Sequence, residues 1–405
     1  MFTPPTAPAH LQAPASEPPQ LVWTEAGASR QARWRCERGA VPPSRVVIAD
    51  DTLSADAAYR LACEGTALLW RGDFQNARQL LQALARRTDR KPRKPRNPPK
   101  AALEGDTTPG AAFHRHRQAQ AQRARVLAMV LIPLDADFGI PLRRAPDMRL
   151  ACGEAWGLPD ELGGASVASL RELLGIVSAH EWRKKGVTVA ALGAAPHNRI
   201  HPYHGVFSPL RGEYVQLVAD VPLPAGDGTA FDIGTGSGVL AAVLARRGLR
   251  VTATDTDARA LACASDNLAR LSLSAQVQLL QTDLFPPGRA ALVVCNPPWL
   301  PARPGSPIER AIYDEDSRML LGFVQGLSAH LAPGGEGWLI LSDLAEHLGL
   351  RTRAELLLAF DKAGLRVLGR VDRRPVHGKA FDTEDPLHAA RSLEITSLWR
   401  LGAAG

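Results

Sequence analysis

Three glycines and one aspartate have a spacing that suits ligand binding. Gly234, Gly236 and Gly238 alternate in FDIGTGSGVLA, after a short apolar segment and before a helical one. Glycine lets the backbone turn tightly and approach a ligand, and free N–H groups at a helix start attract polar or acidic atoms. Asp255 ends the next apolar segment, RVTATD, where a carboxylate can accept hydrogen bonds from both hydroxyls of a ribose. A dinucleotide-binding loop is similar, so the glycines alone do not identify the ligand.

Two further polar residues follow the next two apolar segments. Asp283 ends AQVQLLQTD, and Asn296 comes directly after ALVVC. Because the carboxyl ends of parallel strands lie at one edge of a sheet, four consecutive strands bring polar residues to the same place. Asp283 can accept a hydrogen bond from an adenine amine at that edge. A purely structural explanation does not predict this coincidence, which therefore indicates a binding site.

The segment that begins at Asn296 places two prolines between an amide and an aromatic ring. Pro297 and Pro298 separate Asn296 from Trp299. On its own this segment fits a turn, in which Asn296 caps the end of a buried strand and Trp299 fills the core. Together with the glycines and the two aspartates, it indicates a functional site.

The elements that must position these residues alternate between strand and helix from about Thr229 onwards. Apolar strands interleaved with amphipathic helices are typical of a doubly wound, mostly parallel α/β sheet. Two strands after the last helix predict an antiparallel addition at one edge. The seven predicted strands are TAFDI, RVTATD, AQVQLLQTD, ALVVC, GGEGWLILSD, LRVLGRV and SLEITSLWRL.

The first half of the chain has a helical pattern. ADAAYRLACEGTALLW and FQNARQLLQALAR place apolar residues at spacings of three and four, which predicts a helical hairpin. The pair resembles one tetratricopeptide-type repeat, but no second copy follows, so an ordinary hairpin is favoured. RARVLAMVLIPL predicts a helix and then an extended segment, and SVASLRELLGIVSAH predicts an amphipathic helix.

A chain of 405 residues is expected to contain two domains with linkers. The N-terminal part is predicted to be mainly helical and to precede the α/β sheet. The predicted divisions are a disordered proline-rich tail (1–20), a helical accessory domain (21–87), a basic proline-rich linker (88–112), a helical or mixed accessory region (113–200) and the α/β domain (201–405).

Positive charge is concentrated in one stretch, from Arg86 to Arg125. It holds twelve Lys or Arg residues against three acids, a balance of +9, whereas the whole chain carries +7. A basic, proline-rich stretch suits phosphate backbones or acidic protein faces. A solvated linker without a specific partner is the alternative, because charge runs also keep linkers extended.

Composition predicts a protein of the cytoplasm. The apolar run VLAMVLIPL is far shorter than the ~20 residues of a membrane span, and the N-terminus has no signal-peptide pattern. The five cysteines are odd in number and widely spaced, as expected in a reducing compartment. His197, His201 and His204 lie close together in sequence, but no carboxylate or cysteine accompanies them at ligand spacing, so no metal site is predicted.

In this order and spacing, FDIGTGSG, VTATD, QTDLF and CNPPW resemble the motifs of class I S-adenosylmethionine-dependent methyltransferases of the Asn-Pro-Pro-aromatic subgroup (small methyltransferase domain). Within this subgroup, the motifs most resemble those of the protein-glutamine methyltransferases that modify peptide release factors. The resemblance covers the C-terminal half and implies a seven-stranded, Rossmann-like methyltransferase sheet. Trp299 departs from the commoner Tyr or Phe, and the N-terminal half does not resemble the short helical domain of the glutamine enzymes.

The resemblance also implies roles for individual residues. Asn296 and Pro297 would hold the target nitrogen, while Trp299 and Pro298 would contact the substrate. Contacts to S-adenosylmethionine are implied for Asp232, Gly234, Gly236, Gly238, Asp255 and Asp283, and more loosely for Arg211.

The function implied is transfer of a methyl group from S-adenosylmethionine to a planar nitrogen of a macromolecule. A protein glutamine side chain is the first hypothesis, with a ribosome-associated protein or RNA as partner. An exocyclic amine of adenine or guanine in ribosomal or transfer RNA is the alternative, supported by the basic stretch Arg86 to Arg125. A non-catalytic binding module of the same fold is a third hypothesis.

Overall fold

The computed structural model describes residues 18–89, 108–159, 164–375 and 382–404. Most of the tail predicted over 1–20 and most of the linker predicted over 88–112 lie outside these residues. The described chain forms two larger β-sheets, one in each half, and a short two-stranded ribbon between them.

Within the described residues, the N-terminal half contains a six-stranded mixed sheet of order β1-β2-β6-β5-β4-β3. β3, β4 and β5 are parallel, β6 is antiparallel to β5, and β2 is parallel to β6. The strands are β1 (Gln20–Glu25), β2 (Ala28–Arg35), β3 (Arg45–Ala49), β4 (Thr66–Trp70), β5 (Val130–Leu134) and β6 (Ser166–Ser169). The helices are α1 (Ala55–Cys63), α2 (Phe74–Thr88), α3 (Pro109–Leu127), α4 (Arg149–Trp156) and α5 (Leu170–Lys185).

This sheet adds six strands to an N-terminal domain that the sequence predicts to be mainly helical. TALLW forms β4 and separates α1 from α2, so the predicted helical hairpin is wrong. All five residues of β4 are buried, and a strand that is buried on both faces lacks the polar–apolar alternation that distinguishes it from a helix. SVAS likewise forms β6 rather than the first turn of α5, and the Ser169 side chain caps that helix by accepting from the Glu172 N–H.

α3 begins inside the segment predicted as linker. Its first residue is Pro109, and the Thr108 hydroxyl accepts a hydrogen bond from the Ala111 N–H as its cap. Four arginines of the basic stretch therefore lie on an ordered helix, namely Arg115, Arg117, Arg123 and Arg125, whereas residues 90–107 of that stretch lie outside the described residues.

Two short strands, a 3₁₀ helix (Ala190–Leu192) and one α-helix connect the halves. β7 (Val187–Thr188) and β8 (Arg199–Ile200) pair as an antiparallel ribbon, and α6 (Gly212–Asp220) precedes the second sheet. His201 and His204 follow β8. The His201 Nδ1 makes a backbone contact, 2.6 Å from the Arg183 carbonyl oxygen. Across the described ranges, no group of three or more His, Cys, Asp or Glu residues is placed to hold a metal ion.

The described part of the C-terminal half contains the seven-stranded sheet that the sequence predicts. Its order is β11-β10-β9-β12-β13-β15-β14, with β15 antiparallel to both of its neighbours. The strands are β9 (Thr229–Ile233), β10 (Arg250–Asp255), β11 (Val277–Gln281), β12 (Ala290–Cys295), β13 (Leu331–Ser342), β14 (Leu365–Arg373) and β15 (Thr396–Ala403). The helices are α7 (Val239–Arg246), α8 (Ala258–Arg270), α9 (Arg318–His330), α10 (Leu344–His347), α11 (Arg353–Lys362) and α12 (His388–Arg391).

Helices cover both faces of this sheet, as a doubly wound fold requires. α6, α7 and α8 enclose one apolar core, and α9 and α11 enclose the other. The carboxyl ends of β9, β10, β11 and β12 consequently lie at one edge, where the candidate residues follow them. No described helix has the length and apolar character needed to cross a bilayer.

Candidate functional site

A cavity of about 300 Å³ opens at the carboxyl ends of β9 to β12. Of the residues that the sequence singles out, six line it: Gly234, Gly236, Asp255, Asp283, Asn296 and Pro298. Cys295 pairs with Ile233 across the sheet, so Asn296 and Gly234, the next residue of each strand, are neighbours at the cavity wall. Residues that follow four different strands therefore meet at one cavity, as their spacing in the sequence predicts.

Gly234 forms the turn out of β9. Its φ of +74° lies in the left-handed region, and an added Cβ would stand 2.4 Å from the Met319 Cε. The N–H groups of Gly234 and Thr235 donate to the Thr254 carbonyl oxygen of β10 at 2.9 and 2.8 Å. The loop is therefore fastened to the neighbouring strand, and the Met319 side chain fills the place that a side chain at position 234 would need.

Two residues predicted to contact the cofactor lie behind the loop instead of at the cavity wall. Gly238 packs against α8, where an added Cβ would lie 3.0 Å from the Ala264 Cβ. The Asp232 side chain is buried, and its Oδ2 accepts from the Thr235 hydroxyl at 2.7 Å and from the Ala241 N–H at 3.0 Å. Burial raises the pKa of Asp232 to about 6. Asp232 and Gly238 shape the loop and the start of α7.

Asp255 faces the cavity with both carboxylate oxygens held. Oδ2 accepts from the Gly236 N–H and Oδ1 from the Asp257 N–H, each at 3.0 Å. A carboxylate oxygen has two acceptor sites, so each oxygen keeps capacity for a ligand hydroxyl. Burial raises the pKa of Asp255, and the two N–H donors oppose that shift.

Asp283 is more exposed and has a cationic partner. Its Oδ2 lies 2.5 Å from the Arg318 Nη2, and more than half of each side chain is accessible to solvent. Both residues line the cavity at its rim. An exposed pair of this kind contributes little stability, so Asp283 is available to a ligand amine at small cost.

The Asn-Pro-Pro-Trp segment has a contact that the sequence did not predict. The Trp299 indole N–H donates to the Asn296 Oδ1 with an N···O distance of 2.9 Å. Asn296 and Pro298 line the cavity, whereas Pro297 is buried and Trp299 packs against the apolar cores on both faces of the sheet. In this structure Trp299 supports Asn296, and its predicted stacking on a substrate stays a prediction.

Arg211 lies behind Trp299 and outside the cavity lining. Its guanidinium is 5.6 Å from the centroid of the Trp299 ring, and its Nη1 donates to the Glu394 Oε1 at 2.9 Å. The Glu394 side chain is fully buried, and the Ser342 hydroxyl donates to the same oxygen at 2.8 Å. The structure therefore assigns Arg211 to an ion pair beside Trp299.

Asp314 is a cavity residue that the motifs did not identify. Its two carboxylate oxygens accept from the N–H groups of Met319 and Leu320, at 3.0 Å each, at the start of α9. Burial raises the pKa of Asp314. An acid shortly before a helix is a capping signal in sequence, but its place at the cavity depends on how the chain folds back after Trp299.

Residues 300–317, here named the cavity loop, connect Trp299 to α9 and close one side of the cavity. The cavity loop supplies Pro307, Arg310, Ala311 and Asp314 to the lining. The N-terminal half holds it at several points. Arg38 donates from Nε to the Gly305 carbonyl oxygen at 3.1 Å, and Arg117 of α3 donates to the Arg303 carbonyl oxygen at 2.7 Å.

α8 provides a second connection between the halves. The Arg259 side chain donates to the Glu37 Oε2 at 2.9 Å and to the Ala155 carbonyl oxygen at 3.1 Å. Asp257, which caps α8 and lines the cavity, is two residues before Arg259. Residues of the N-terminal half thus contact two of the segments that enclose the cavity.

Comparisons with known proteins match the part of the chain that lines the cavity. The family model of the "Methyltransferase small domain" matches residues 198–353. A release factor glutamine methyltransferase of Moorella thermoacetica is 40% identical over 134 residues, which are 31% of this chain and 47% of that protein.

Two other relatives have different substrates in their names. A ribosomal protein L11 methyltransferase of Pelotomaculum thermopropionicum is 37% identical over 147 residues, 35% of this chain and 40% of the relative. A ribosomal RNA small subunit methyltransferase C of Alcanivorax borkumensis is 34% identical over 115 residues, 28% of this chain and 32% of the relative. The chain spans less than half the length of each of these three proteins. The resemblance found in the motifs is confirmed: residues 198–353 match the family model of the methyltransferase small domain.

Proposed function

We propose that this protein transfers a methyl group from S-adenosylmethionine to a planar nitrogen of a macromolecule. The preferred candidate for the methyl acceptor is a protein glutamine side chain. The observation that carries the proposal is the position of Asn296, which faces the cavity beside Gly234. One side of the cavity then suits a nucleoside cofactor, and the adjoining wall offers an acceptor oxygen to an amide.

The residues at the cavity fit S-adenosylmethionine. Asp255 has acceptor capacity for two ribose hydroxyls, and Asp283 at the rim suits the adenine amine. A side chain at position 234 would displace Met319, which lines the same cavity. When bound there, the cofactor would supply an electrophilic methyl group on a sulfonium.

Asn296 and Pro297 would prepare the accepting nitrogen. The lone pair of an amide nitrogen is delocalised, so the nitrogen attacks a methyl group poorly. Acceptance of its two N–H groups by the Asn296 Oδ1 and the Pro297 carbonyl oxygen would stabilise positive charge that develops on nitrogen and would orient the lone pair. Proline offers a carbonyl without a competing N–H and holds it stiffly. The proton then leaves to water.

Loss of transfer in Asn296→Ala tests this role. We expect the variant to bind S-adenosylmethionine with the wild-type Kd, because the ribose and adenine contacts remain, while methyl transfer falls by about 100-fold or more. Calorimetry measures the first quantity and a radiolabel assay the second. Full transfer by Asn296→Ala contradicts the mechanism, and failure of the wild type to bind the cofactor favours the non-catalytic hypothesis.

The macromolecule is identified by the fate of the label. An extract from source cells that lack the protein is incubated with the purified protein and S-adenosylmethionine labelled in the methyl group. We expect protease to release the label as small peptides and nuclease to leave it in large material. Release by nuclease alone contradicts the glutamine proposal.

An exocyclic base amine in RNA is the second candidate. Arg115, Arg117 and Arg123 on α3 belong to the basic stretch Arg86 to Arg125, and one relative is named a ribosomal RNA methyltransferase. Neutralised phosphates make affinity fall steeply with salt. A steep salt dependence of RNA binding that is lost on deletion of residues 91–100 would favour this candidate over the protein substrate.

A further inference from the structure

We propose that Trp299 is a positioning residue, whose indole N–H fixes the Asn296 amide with its oxygen in the place that accepts the substrate N–H. This inference rests on the proposed function and adds a role that the motif alone does not assign. Trp299 acts through Asn296 and needs no contact with the substrate.

An asparagine side chain can be placed in two orientations of nearly equal shape. One end accepts hydrogen bonds and the other donates them, so rotation by 180° replaces an acceptor by a donor. The indole N–H only donates, and its partner at 2.9 Å must therefore be the Asn296 oxygen. An amide oxygen has two acceptor sites, so one remains for a substrate N–H.

The backbone between the two residues is stiff. Pro297 and Pro298 each have φ fixed by the pyrrolidine ring, and a proline also restricts the residue before it. The turn between Asn296 and Trp299 therefore has little conformational freedom, and it places the Trp299 indole next to the Asn296 side chain. A less restricted loop would lose more conformational entropy in forming the same contact.

The ring of Trp299 is itself held from behind. It packs against the apolar cores on both faces of the sheet, and the Arg211 guanidinium lies 5.6 Å from its centroid. Arg211 is tied to the buried Glu394 carboxylate, which also accepts from Ser342 at the end of β13. Contacts therefore run from Glu394 through Arg211 and Trp299 to the oxygen of Asn296.

Stacking on the substrate makes a different prediction from positioning. A substrate that stacks on Trp299 needs the aromatic ring and not the N–H. Positioning needs the N–H, because a ring without a donor leaves the Asn296 amide free to turn. Trp299→Phe removes the donor and keeps an aromatic ring, and 3-benzothienylalanine at position 299 replaces the N–H by sulfur at nearly constant shape.

The experiment measures kcat, the KM of the methyl acceptor and the Kd of S-adenosylmethionine for the full-length protein. For both substitutions we expect kcat to fall about 10- to 100-fold, the effect of losing one preorganised hydrogen-bonding group, with the cofactor Kd unchanged. Trp182→Phe on α5 is the matched control, since Trp182 is 45% exposed and outside the cavity, and it should keep the wild-type kcat.

A spectroscopic readout keeps the test independent of activity. The Trp299 indole resonance in a ¹H–¹⁵N spectrum is assigned by its loss in Trp299→Phe, and we expect it to move upfield in Asn296→Ala because the acceptor is gone. An unchanged indole resonance in Asn296→Ala overturns the inference, as does wild-type kcat in the 3-benzothienylalanine protein.

The two proposals fail in different ways. Full methyl transfer by both position-299 substitutions overturns the positioning role alone and leaves the proposed function standing. Absence of transfer by the wild type with every extract overturns the proposed function, and the positioning role falls with it.

Discussion

The guanidinium carbon of Arg117 lies 4.0 Å from the centroid of the Tyr313 ring. Arg117 belongs to α3 in the N-terminal half, and Tyr313 belongs to the cavity loop, next to the cavity residue Asp314. The same arginine donates to the Arg303 carbonyl oxygen and lies 3.6 Å from the Glu309 carboxylate. One side chain of the N-terminal half thus makes three contacts to the cavity loop.

Arg117→Ala is expected to weaken cofactor binding, although Arg117 does not line the cavity. The variant removes the cation–π contact with Tyr313 and the hydrogen bond to Arg303, which hold the cavity loop in place. Part of the entropic cost of ordering this loop is then added to the free energy of cofactor binding. We expect the Kd of S-adenosylmethionine to rise about 3- to 10-fold, on the order of 1 kcal/mol, as calorimetry would measure.

Arg123→Ala on the same helix is the control for this prediction. Arg123 is paired with Asp89 at 2.7 Å, away from the cavity loop, and its removal should leave the cofactor Kd unchanged. Equal affinities for the Arg117 and Arg123 variants would show that α3 does not act on the cavity.

Gly234→Ala should separate backbone strain from loss of the ligand space. A left-handed alanine costs about 1–2 kcal/mol of folding free energy wherever it occurs. At Gly234 the added methyl group must also displace the Met319 side chain, which lines the same cavity. We expect a loss of about 1–2 kcal/mol in the free energy of unfolding and at least about a 10-fold weaker Kd for S-adenosylmethionine.

Gly364→Ala is the matched control, because it introduces the same backbone strain at a position that does not line the cavity. Gly364 has φ +64°, with nothing within 4 Å of an added Cβ, and it lies between α11 and β14. Its variant should lose comparable stability and keep the wild-type Kd. If both variants lose cofactor affinity equally, the effect of Gly234 is on folding and not on the cavity.

The buried Asp232 should make stability depend on pH. Its folded-state pKa of about 6 lies above the ordinary value of 3.8, so between these values the folded protein holds a proton that the unfolded chain has released. Protonation therefore stabilises the fold at low pH, and this contribution is lost as pH rises through about 6. Relative to Asp232→Asn, we expect the wild-type free energy of unfolding to fall by about 2–3 kcal/mol from pH 4 to pH 7.

Urea unfolding of both proteins across this range measures the difference. Asparagine at position 232 can still accept from the Thr235 hydroxyl and the Ala241 N–H through one oxygen, so the comparison isolates the charge. A difference in unfolding free energy that does not vary with pH would mean that Asp232 keeps an ordinary pKa in the folded protein.

Asp255 and Asp283, the two cavity aspartates that the motifs assign to the cofactor, should contribute unequally to its affinity. Asp255 is half-buried and held by two backbone N–H groups, whereas Asp283 is exposed and already paired with Arg318. A preorganised carboxylate away from water makes the stronger hydrogen bonds. We expect Asp255→Asn to raise the Kd of S-adenosylmethionine about 10- to 100-fold and Asp283→Asn less than about 5-fold, and the reverse order would contradict the assignment.

Sequence patterns predicted the C-terminal sheet well because its strand ends carry distinctive residues. Gly234 after β9, Asp255 at the end of β10 and Asn296 after β12 mark places where an apolar strand stops. The pattern in the N-terminal half failed at TALLW, where alanine and leucine fit a helix and a buried strand equally well.

Side-chain partners within the site were not predictable in the same way. Motif position alone placed Asp232, Gly238 and Arg211 with the cofactor. In the structure the Asp232 and Arg211 side chains bind Thr235 and Glu394, and Gly238 packs against Ala264. The contact between Trp299 and Asn296 depends on the path of the turn after β12. A spacing of three residues permits that contact but does not require it.

The contacts that the N-terminal half makes with the cavity loop and with α8 have a reciprocal consequence. Binding free energies are coupled in both directions, so whatever docking of the N-terminal sheet contributes to cofactor affinity, an occupied cavity contributes equally to that docking. Slower amide exchange in β1 to β6 would then accompany ligand binding some distance away. Amide exchange in the N-terminal sheet would thus differ between the free and the cofactor-bound protein.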